Sequence, residues 1–388
     1  MNHISHLKIS GYKRLFNIDL EMRPLMVMIG ANGIGKTSML EVLSLLSASA
    51  GGKLNQKLSS LGGISEVVTK DLNTQTESGK QISLSLEIPH KDFPNLNYDL
   101  KLEQQGFSYA ISSEILCQQW PQNTQQSIYI NSAYNSISYY EPNTNSFRVP
   151  NWNFNLSETT LSQIPKIYDQ LEVISKILSS ASLYHTLNVN AGSPVKLPQQ
   201  LKPILFPGEN GEDLFPFLYS MKESYPDRYE IIMDTLKTAF PGFESLGFPP
   251  VAAGMLSMTW KEEHFKSPLY MNQLSEGILR FLWLTALLQS PSLPAITMID
   301  EPEVSLHPEL LSLLAHQLRE ASRRTQLIVA THSDRLIRFL KPEEIVVVNM
   351  NEDGFAEMEW ADALDLEEWL KEYSLDELWN MGRLGGKP

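Results

Sequence analysis

Hydrophobic and polar residues alternate along Ile4-Ser5-His6-Leu7-Lys8-Ile9-Ser10. They alternate again, beyond a Gly11-Tyr12-Lys13-Arg14 turn, along Ile18-Asp19-Leu20-Glu21-Met22. A period of two predicts two half-buried strands. The unbroken run Leu25-Met26-Val27-Met28-Ile29 predicts a buried strand, and a helix continues through Ser38-Met39-Leu40-Glu41-Val42-Leu43. A soft, glycine-bearing segment follows from Ala50 to Gly63. Alternation returns over residues 82–88, 98–102 and 107–111, with connections too short for crossover helices, so an antiparallel meander is expected. Residues 118–160 are rich in Asn, Gln, Ser and Tyr, as in Asn131-Ser132-Ala133-Tyr134-Asn135-Ser136, and read as β-hairpins with long loops rather than as a recognition surface. Leu161, Ile164, Ile167, Leu171, Ile174 and Leu178 recur at helical spacing and predict a helix over 161–185 with a core-facing stripe. A Pro/Gly-rich linker or lid-type loop spans Ser193 to Pro216, a helix is expected over 217–240 and a strand over 251–260. No sustained heptad run predicts a coiled-coil arm.

The last third changes character. Helices are expected from Gly277 to Leu288 and from Pro308 to Arg319. Between and after them lie the apolar runs Ala295–Ile299, Leu327–Thr331 and Ile345–Asn349. Continuous apolar strands alternating with helices indicate a parallel sheet covered on both faces.

In such a sheet, ligands sit at the carboxyl ends of the strands. Ile29 leads into Gly30-Ala31-Asn32-Gly33-Ile34-Gly35-Lys36-Thr37, which fits GxxxxGK[ST] between a strand and a helix. There the backbone N–H groups of Gly30, Asn32, Gly33, Gly35 and Ser38 close around phosphate oxygens, Lys36 adds charge and the Thr37 hydroxyl holds Mg²⁺. Ile299 leads into Asp300, placed to bind Mg²⁺ alongside Thr37, and Glu301, the natural general base for an attacking water. Thr331 leads into His332, positioned to donate to a γ-phosphate oxygen. The expected chemistry is ATP hydrolysis with Mg²⁺.

Composition narrows the class. With 388 residues, 42% hydrophobic and 20% charged, the chain reads as an ordinary folded protein. No apolar stretch approaches a membrane span. Met1-Asn2-His3-Ile4-Ser5-His6 is no signal peptide, so a cytoplasmic location is expected and a membrane partner is not. The single Cys117 excludes an internal disulfide and a Cys-based zinc site. A net charge of −14 gives no general help to nucleic-acid binding. Arg319, Arg323, Arg324, Arg335, Arg338 and Lys341 cluster locally and read as a solvated helix face in preference to a nucleic-acid groove.

These motifs together resemble an ABC-type ATPase of the RecF/SMC/OLD branch. Leu274-Ser275-Glu276-Gly277 resembles the ABC signature, and Asp300-Glu301-Pro302-Glu303-Val304-Ser305-Leu306-His307-Pro308 resembles the Walker B and D-loop pattern. Thr331-His332-Ser333 is similar to the switch histidine, and Leu7–Arg14 to the first strand and turn. The resemblance implies an α/β P-loop NTPase with ABC-ATPase head architecture: a mixed, largely parallel core sheet, an antiparallel β layer and a helical inserted lobe. It implies one ATPase over 1–388, with lobe I over 1–118, an inserted lobe over 119–270 and a signature/Walker B lobe over 271–388. It implies that Arg14 approaches the nucleotide and that Ser275 and Gly277 of one subunit cap ATP held by Lys36 of another, in an ATP-dependent homodimer. Glu276 stands where transporters carry Gly, a variation common in the RecF-like branch. Gln81 is a candidate Q-loop glutamine and equally a surface residue.

The 239 residues from Lys36 to Ser275 argue against a transporter subunit. The 56 residues after His332 are too few for an OLD-type nuclease domain. Asp362, Asp365, Glu367 and Glu368 read as the solvated face of an amphipathic helix over Leu364–Trp379, docked through Leu366, Trp369, Leu370, Tyr373, Leu375, Leu378 and Trp379. The function expected is an ATP-driven dimerisation switch in DNA repair or anti-phage defence. Its alternative is a nucleotide-binding subunit that controls a separately encoded nuclease or toxin effector. The partners in view are a second copy, DNA or RNA, and such an effector.

Overall fold

The computed structural model describes residues 3–70, 80–89, 94–119, 126–134, 136–141, 144–166, 168–366 and 368–385. Met1, Asn2, Asn135, Ile167, Glu367 and parts of the segment 118–160 lie outside the described residues.

The first strands, β1 (His6–Tyr12) and β2 (Leu15–Glu21), pair antiparallel with Ile9 opposite Ile18, and β3 (Leu25–Ile29) runs into the phosphate loop and α1 (Lys36–Ala50). The glycine-bearing segment expected to be soft is instead helical, as α2 (Leu54–Ser60) and α3 (Ile64–Val67). Leu54 and Leu58 bury one face of α2, and the Glu158 carboxylate accepts its first N–H groups, from Leu54 and Asn55, at 2.8 and 3.1 Å. A contact over 100 residues away thus caps a helix with no local N-cap bond.

The meander forms as expected from β4 (Gln81–Ile88), β5 (Leu96–Gln105) and β6 (Ser108–Gln119). It continues through β7 (Gln126–Ser132), β8 (Tyr139–Glu141) and β9 (Ser146–Arg148) into one eight-stranded antiparallel sheet ordered β2-β1-β4-β5-β6-β7-β8-β9. The strand β6 crosses residues 118 and 119.

The helix expected over 161–185 breaks into α4 (Thr160–Gln163) and α5 (Asp169–Ser179), because Pro165 lacks the N–H a helix needs. Its last residues form a strand, β10 (Ser182–Tyr184), pairing in parallel with the strand that carries Asp300. The linker holds β11 (Gln199–Gln200) and the start of α6 (Leu214–Ser224), followed by α7 (Pro226–Ala239). The strand expected over 251–260 is fragmentary. It lies among β12 (Phe243–Gly247), β13 (Pro250–Val251), β14 (Met255–Leu256), β15 (Thr259–Glu262) and β16 (Leu269–Tyr270), which with β11 make two small three-stranded sheets.

The final third gives α8 (Glu276–Leu288), β17 (Ile296–Asp300), α9 (Leu310–Ser322), β18 (Gln326–Ala330), α10 (Asp334–Ile337), β19 (Ile345–Met350) and β20 (Ala356–Trp360). The core sheet is ordered β10-β17-β18-β3-β19-β20, parallel except for the edge strand β20. It is covered on both faces. Met26, Met28, Met298 and Ile328 point to α1 and the antiparallel sheet. Val27, Ile29, Ile299 and Val329 point to α8 and α9. The terminal amphipathic helix is shorter than expected, a single 3₁₀ turn at Trp369–Lys371 and α11 (Leu375–Asn380), with Ser374 and Glu377 forming a capping box. Leu366, Leu375, Leu378 and Trp379 dock into the core, whereas Trp369 and Leu370 stay partly exposed.

Candidate functional site

The order β17-β18-β3 places three strand ends side by side, so Asp300 and Glu301, His332, and the phosphate loop converge although 296 residues separate Lys36 from His332. The loop is shaped by glycine. Gly30 has φ 153°, and a Cβ there would lie 2.4 Å from the Val348 carbonyl oxygen. No side chain fits that approach. Asn32, Gly33 and Thr37 are exposed and Ser38 is half-buried at the mouth of α1.

Lys36 is 4% exposed. Its ammonium donates to the carbonyl oxygens of Gly30 at 2.6 Å and Ala31 at 2.9 Å and lies 3.3 Å from His332 Nδ1. Burial drives its pKa down to about 8, against the opposing pull of Asp300, Glu301 and Glu303. A buried cation held only by loop carbonyls and a neutral ring fits an arriving phosphate. His332 thus faces the Lys36 ammonium with Nδ1, while its Nε2 lies 3.4 Å from Glu301 Oε1. Burial, then the Lys36 charge, hold His332 below its ordinary pKa.

Glu301 takes a left-handed backbone, φ 52°, with its N–H donated to the Ala330 carbonyl at 2.8 Å. Asp300 ends β17 with a largely buried carboxylate, 3.7 Å from His185 Nδ1, and this contact raises the His185 pKa. Asp300 and Thr37 offer two oxygen donors, the donor set expected where phosphates and water complete a Mg²⁺ shell. Among the described residues no cluster of three His, Cys, Asp or Glu side chains could hold a metal alone.

Glu303 was not singled out from the sequence. Its Oε1 accepts from the Thr331 hydroxyl at 2.6 Å and from the His332 N–H at 3.0 Å, so it pins His332. Its Oε2 is buried without a partner, and burial raises its pKa. Only the fold reveals this, although its place within the Asp300-Glu301-Pro302-Glu303 run was a signal.

The signature sits apart from the phosphate loop. Ser275 caps α8, its hydroxyl accepting from the Ile278 N–H at 3.3 Å, and remains exposed. Gly277 is required by the D-loop, since a Cβ would come within 2.7 Å of the Ser305 carbonyl oxygen. Glu276 accepts from the Ser305 hydroxyl at 2.7 Å and pairs with Arg280 at 2.6 Å. Arg280 also donates to the carbonyls of Leu187 and Val304. The charge at this signature position is therefore neutralised within the chain.

Two candidates are engaged in contacts within the chain. Arg14 donates to the Gly354 carbonyl at 2.6 Å, in the turn between β19 and β20, and lines an open groove of about 890 Å³ with Lys13, Phe16 and Phe355. Gln81 donates to the Ser112 hydroxyl at 3.1 Å inside the antiparallel sheet. The basic cluster is mostly structural and less solvated than the helix face expected. Arg319 binds Glu344 with both Nε and Nη2, Arg323 pairs with Glu320, and Arg324 holds the carbonyls of Leu288 and Ser290.

The family model described as "AAA domain, putative AbiEii toxin, Type IV TA system" matches residues 25–338, which hold the phosphate loop, the signature, Asp300-Glu301 and His332. No curated protein matches the chain. Among solved structures, an SMC head bound to the C-winged helix domain of ScpA is 16% identical at a TM-score of 0.55, covering 95% of this chain and 99% of that one. The SMC head with an extended coiled coil bound to the C-terminal domain of ScpA, from Pyrococcus furiosus, is 14% identical at 0.55, covering 96% and 100%. The SMC head with a coiled coil and joint from Pyrococcus yayanosii is 12% identical at 0.50, covering 96% and 99%. At these identities the likeness is one of fold.

Proposed function

The chain belongs to the AAA_21 family of AAA domains and has the ABC-type ATPase head fold, and from this we propose that it hydrolyses ATP with Mg²⁺ to drive a dimerisation switch. The observation that carries the reading is the buried Lys36 ammonium beside His332 and Glu301, at the ends of three adjacent strands.

Gly30, Asn32, Gly33, Gly35 and Ser38 line the triphosphate, and Lys36 leaves its loop carbonyls to bind it. Mg²⁺, when bound by Thr37 and Asp300, neutralises charge on the phosphates. Glu301 orients the attacking water and takes its proton. His332 donates from Nε2 to the γ-phosphate, held in place through its backbone by Glu303. Arg14 reaches the nucleotide once its turn contact opens. Ser275 and Gly277 close over ATP of a second copy, which fits the exposure of Ser275 and the anion affinity of a helix N-terminus. In the same reading, lobe I (1–118) and the signature/Walker B lobe (271–388) form the ATPase, and the inserted lobe (119–270) lies between them in sequence.

The switch would act in the cytoplasm, in DNA repair or anti-phage defence. The second reading, control of a separately encoded effector, is favoured by two observations. The family description names a toxin system, and two similar SMC heads are bound to ScpA domains. Among the described residues no helix is long and apolar enough to cross a membrane.

Glu301→Gln is expected to bind Mg-ATP without turnover and to accumulate a dimer by light scattering, while Lys36→Ala binds no nucleotide. A Glu301→Gln chain that stays monomeric in saturating Mg-ATP refutes the switch, and unchanged turnover in Lys36→Ala refutes the site.

A further inference from the structure

On the face away from the phosphate loop, α7 and α9 enclose a cleft of about 430 Å³ at the C-terminal end of α8. Arg228, His316, Gln317, Glu320, Arg323 and Arg324 line it. Among the described residues, Arg323 alone of these arginines forms an ion pair, with Glu320 at 3.2 Å. Arg228 donates to the Gln289 side-chain oxygen at 3.2 Å, and Arg324 to main-chain carbonyls, so among the described residues neither forms an ion pair, although the Glu320 charge reaches Arg324. The two repel each other. Burial, then the charge of Arg228, bring Arg324 down to about 10. This positive spot stands on a chain of net charge −14.

The second observation is Gln317. Its side chain is 4% exposed, lines the cleft, and among the described residues has no hydrogen-bond partner at either Nε2 or Oε1. A buried amide lacking both partners is costly, and folded proteins seldom leave one so. Here it offers a donor and an acceptor beside two guanidinium groups whose hydrogen bonds run to uncharged oxygens. The cleft falls in the size range of small-molecule sites.

We propose that the α7–α9 cleft is a second ligand site, which takes the phosphate group of a small phosphorylated molecule through Arg228, Arg324 and the Gln317 amide. Guanidinium groups suit phosphate by their forked donors, and the Gln317 Nε2 supplies a further one. Its Oε1 accepts from a protonated phosphate oxygen or a neighbouring hydroxyl of the ligand. The site needs no ATP in the phosphate loop and stands or falls apart from the ATPase reading.

Titration calorimetry with inorganic pyrophosphate on the full chain tests it, using Lys36→Ala to weaken anion binding at the phosphate loop. Saturable binding is expected. Arg228→Ala added to that background should weaken it by about tenfold or more, as should Gln317→Leu. Gln317→Leu should also hold or raise the urea midpoint, because it removes unpartnered polar atoms, so lost binding cannot be assigned to misfolding. Absence of saturable binding through millimolar pyrophosphate overturns the site. So does binding indifferent to both cleft substitutions, and citrate binding more tightly than pyrophosphate overturns the assignment to phosphate.

Discussion

Replacing Glu303 by alanine removes the acceptor that pins both the Thr331 hydroxyl and the His332 N–H. Each buried donor left unpaired costs about 1–3 kcal/mol, and loss of the unpartnered Oε2 returns a similar amount, so the net destabilisation is about 2 kcal/mol. Glu303→Gln keeps the Oε1 acceptor and exchanges the orphaned oxygen for a neutral amide nitrogen, so it should be more stable than Glu303→Ala. The pH dependence separates the cases. Burial raises the Glu303 pKa, so the native state holds the proton more tightly than the unfolded chain. The stability this contributes is complete below the unfolded value of about 4.3 and is lost as pH rises through the native value. Glu303→Gln, which has no proton to lose, should therefore gain on the wild type between about pH 5 and about pH 7.5. Urea midpoints of the three proteins at both pH values measure this. ATP turnover should survive in Glu303→Gln and fall by up to about a hundredfold in Glu303→Ala, through misplacement of His332. A wild type that becomes more stable than Glu303→Gln as pH rises would refute the reasoning, since it would show a paired, ionised carboxylate.

Two further substitutions probe the signature and its D-loop. Gly277→Ala places a methyl 2.7 Å from the Ser305 carbonyl oxygen, and the backbone shift should cost about 1–3 kcal/mol, read as a lower urea midpoint. A wild-type midpoint would show that the contact yields freely. Arg280→Met removes the guanidinium joining Leu187, Val304, Ser305 and Glu276, so amide exchange across residues 301–309 should quicken while the core strands stay protected. Unchanged exchange there would mean that the loop is held by other contacts.

The parts legible in the sequence are those whose signal is local. The phosphate loop announces itself because the geometry around an anion needs glycine at Gly30 and a lysine six residues on. Strands β3, β17, β18 and β19 are readable because burial on two faces demands unbroken apolar runs. Misreadings arose where a distant partner overrode local preference. Glu158 caps α2 from across the chain, and β10 leaves a helical pattern to pair with β17. Gln81, the first residue of β4, reaches past β5 to Ser112 on β6.

By itself, then, the sequence determined which chemical groups stand at which strand ends, since phosphate loop, Asp300-Glu301 and His332 are each written within a few residues. Only the tertiary structure decided their company. The order β17-β18-β3 brings Lys36 to His332, a buried Glu303 holds that histidine from below, and the α7–α9 cleft gathers Arg228 and Gln317 from helices far apart in the chain. Local spacing specifies what a residue can do, whereas strand pairing and burial set what it meets, and its charge state follows from the meeting.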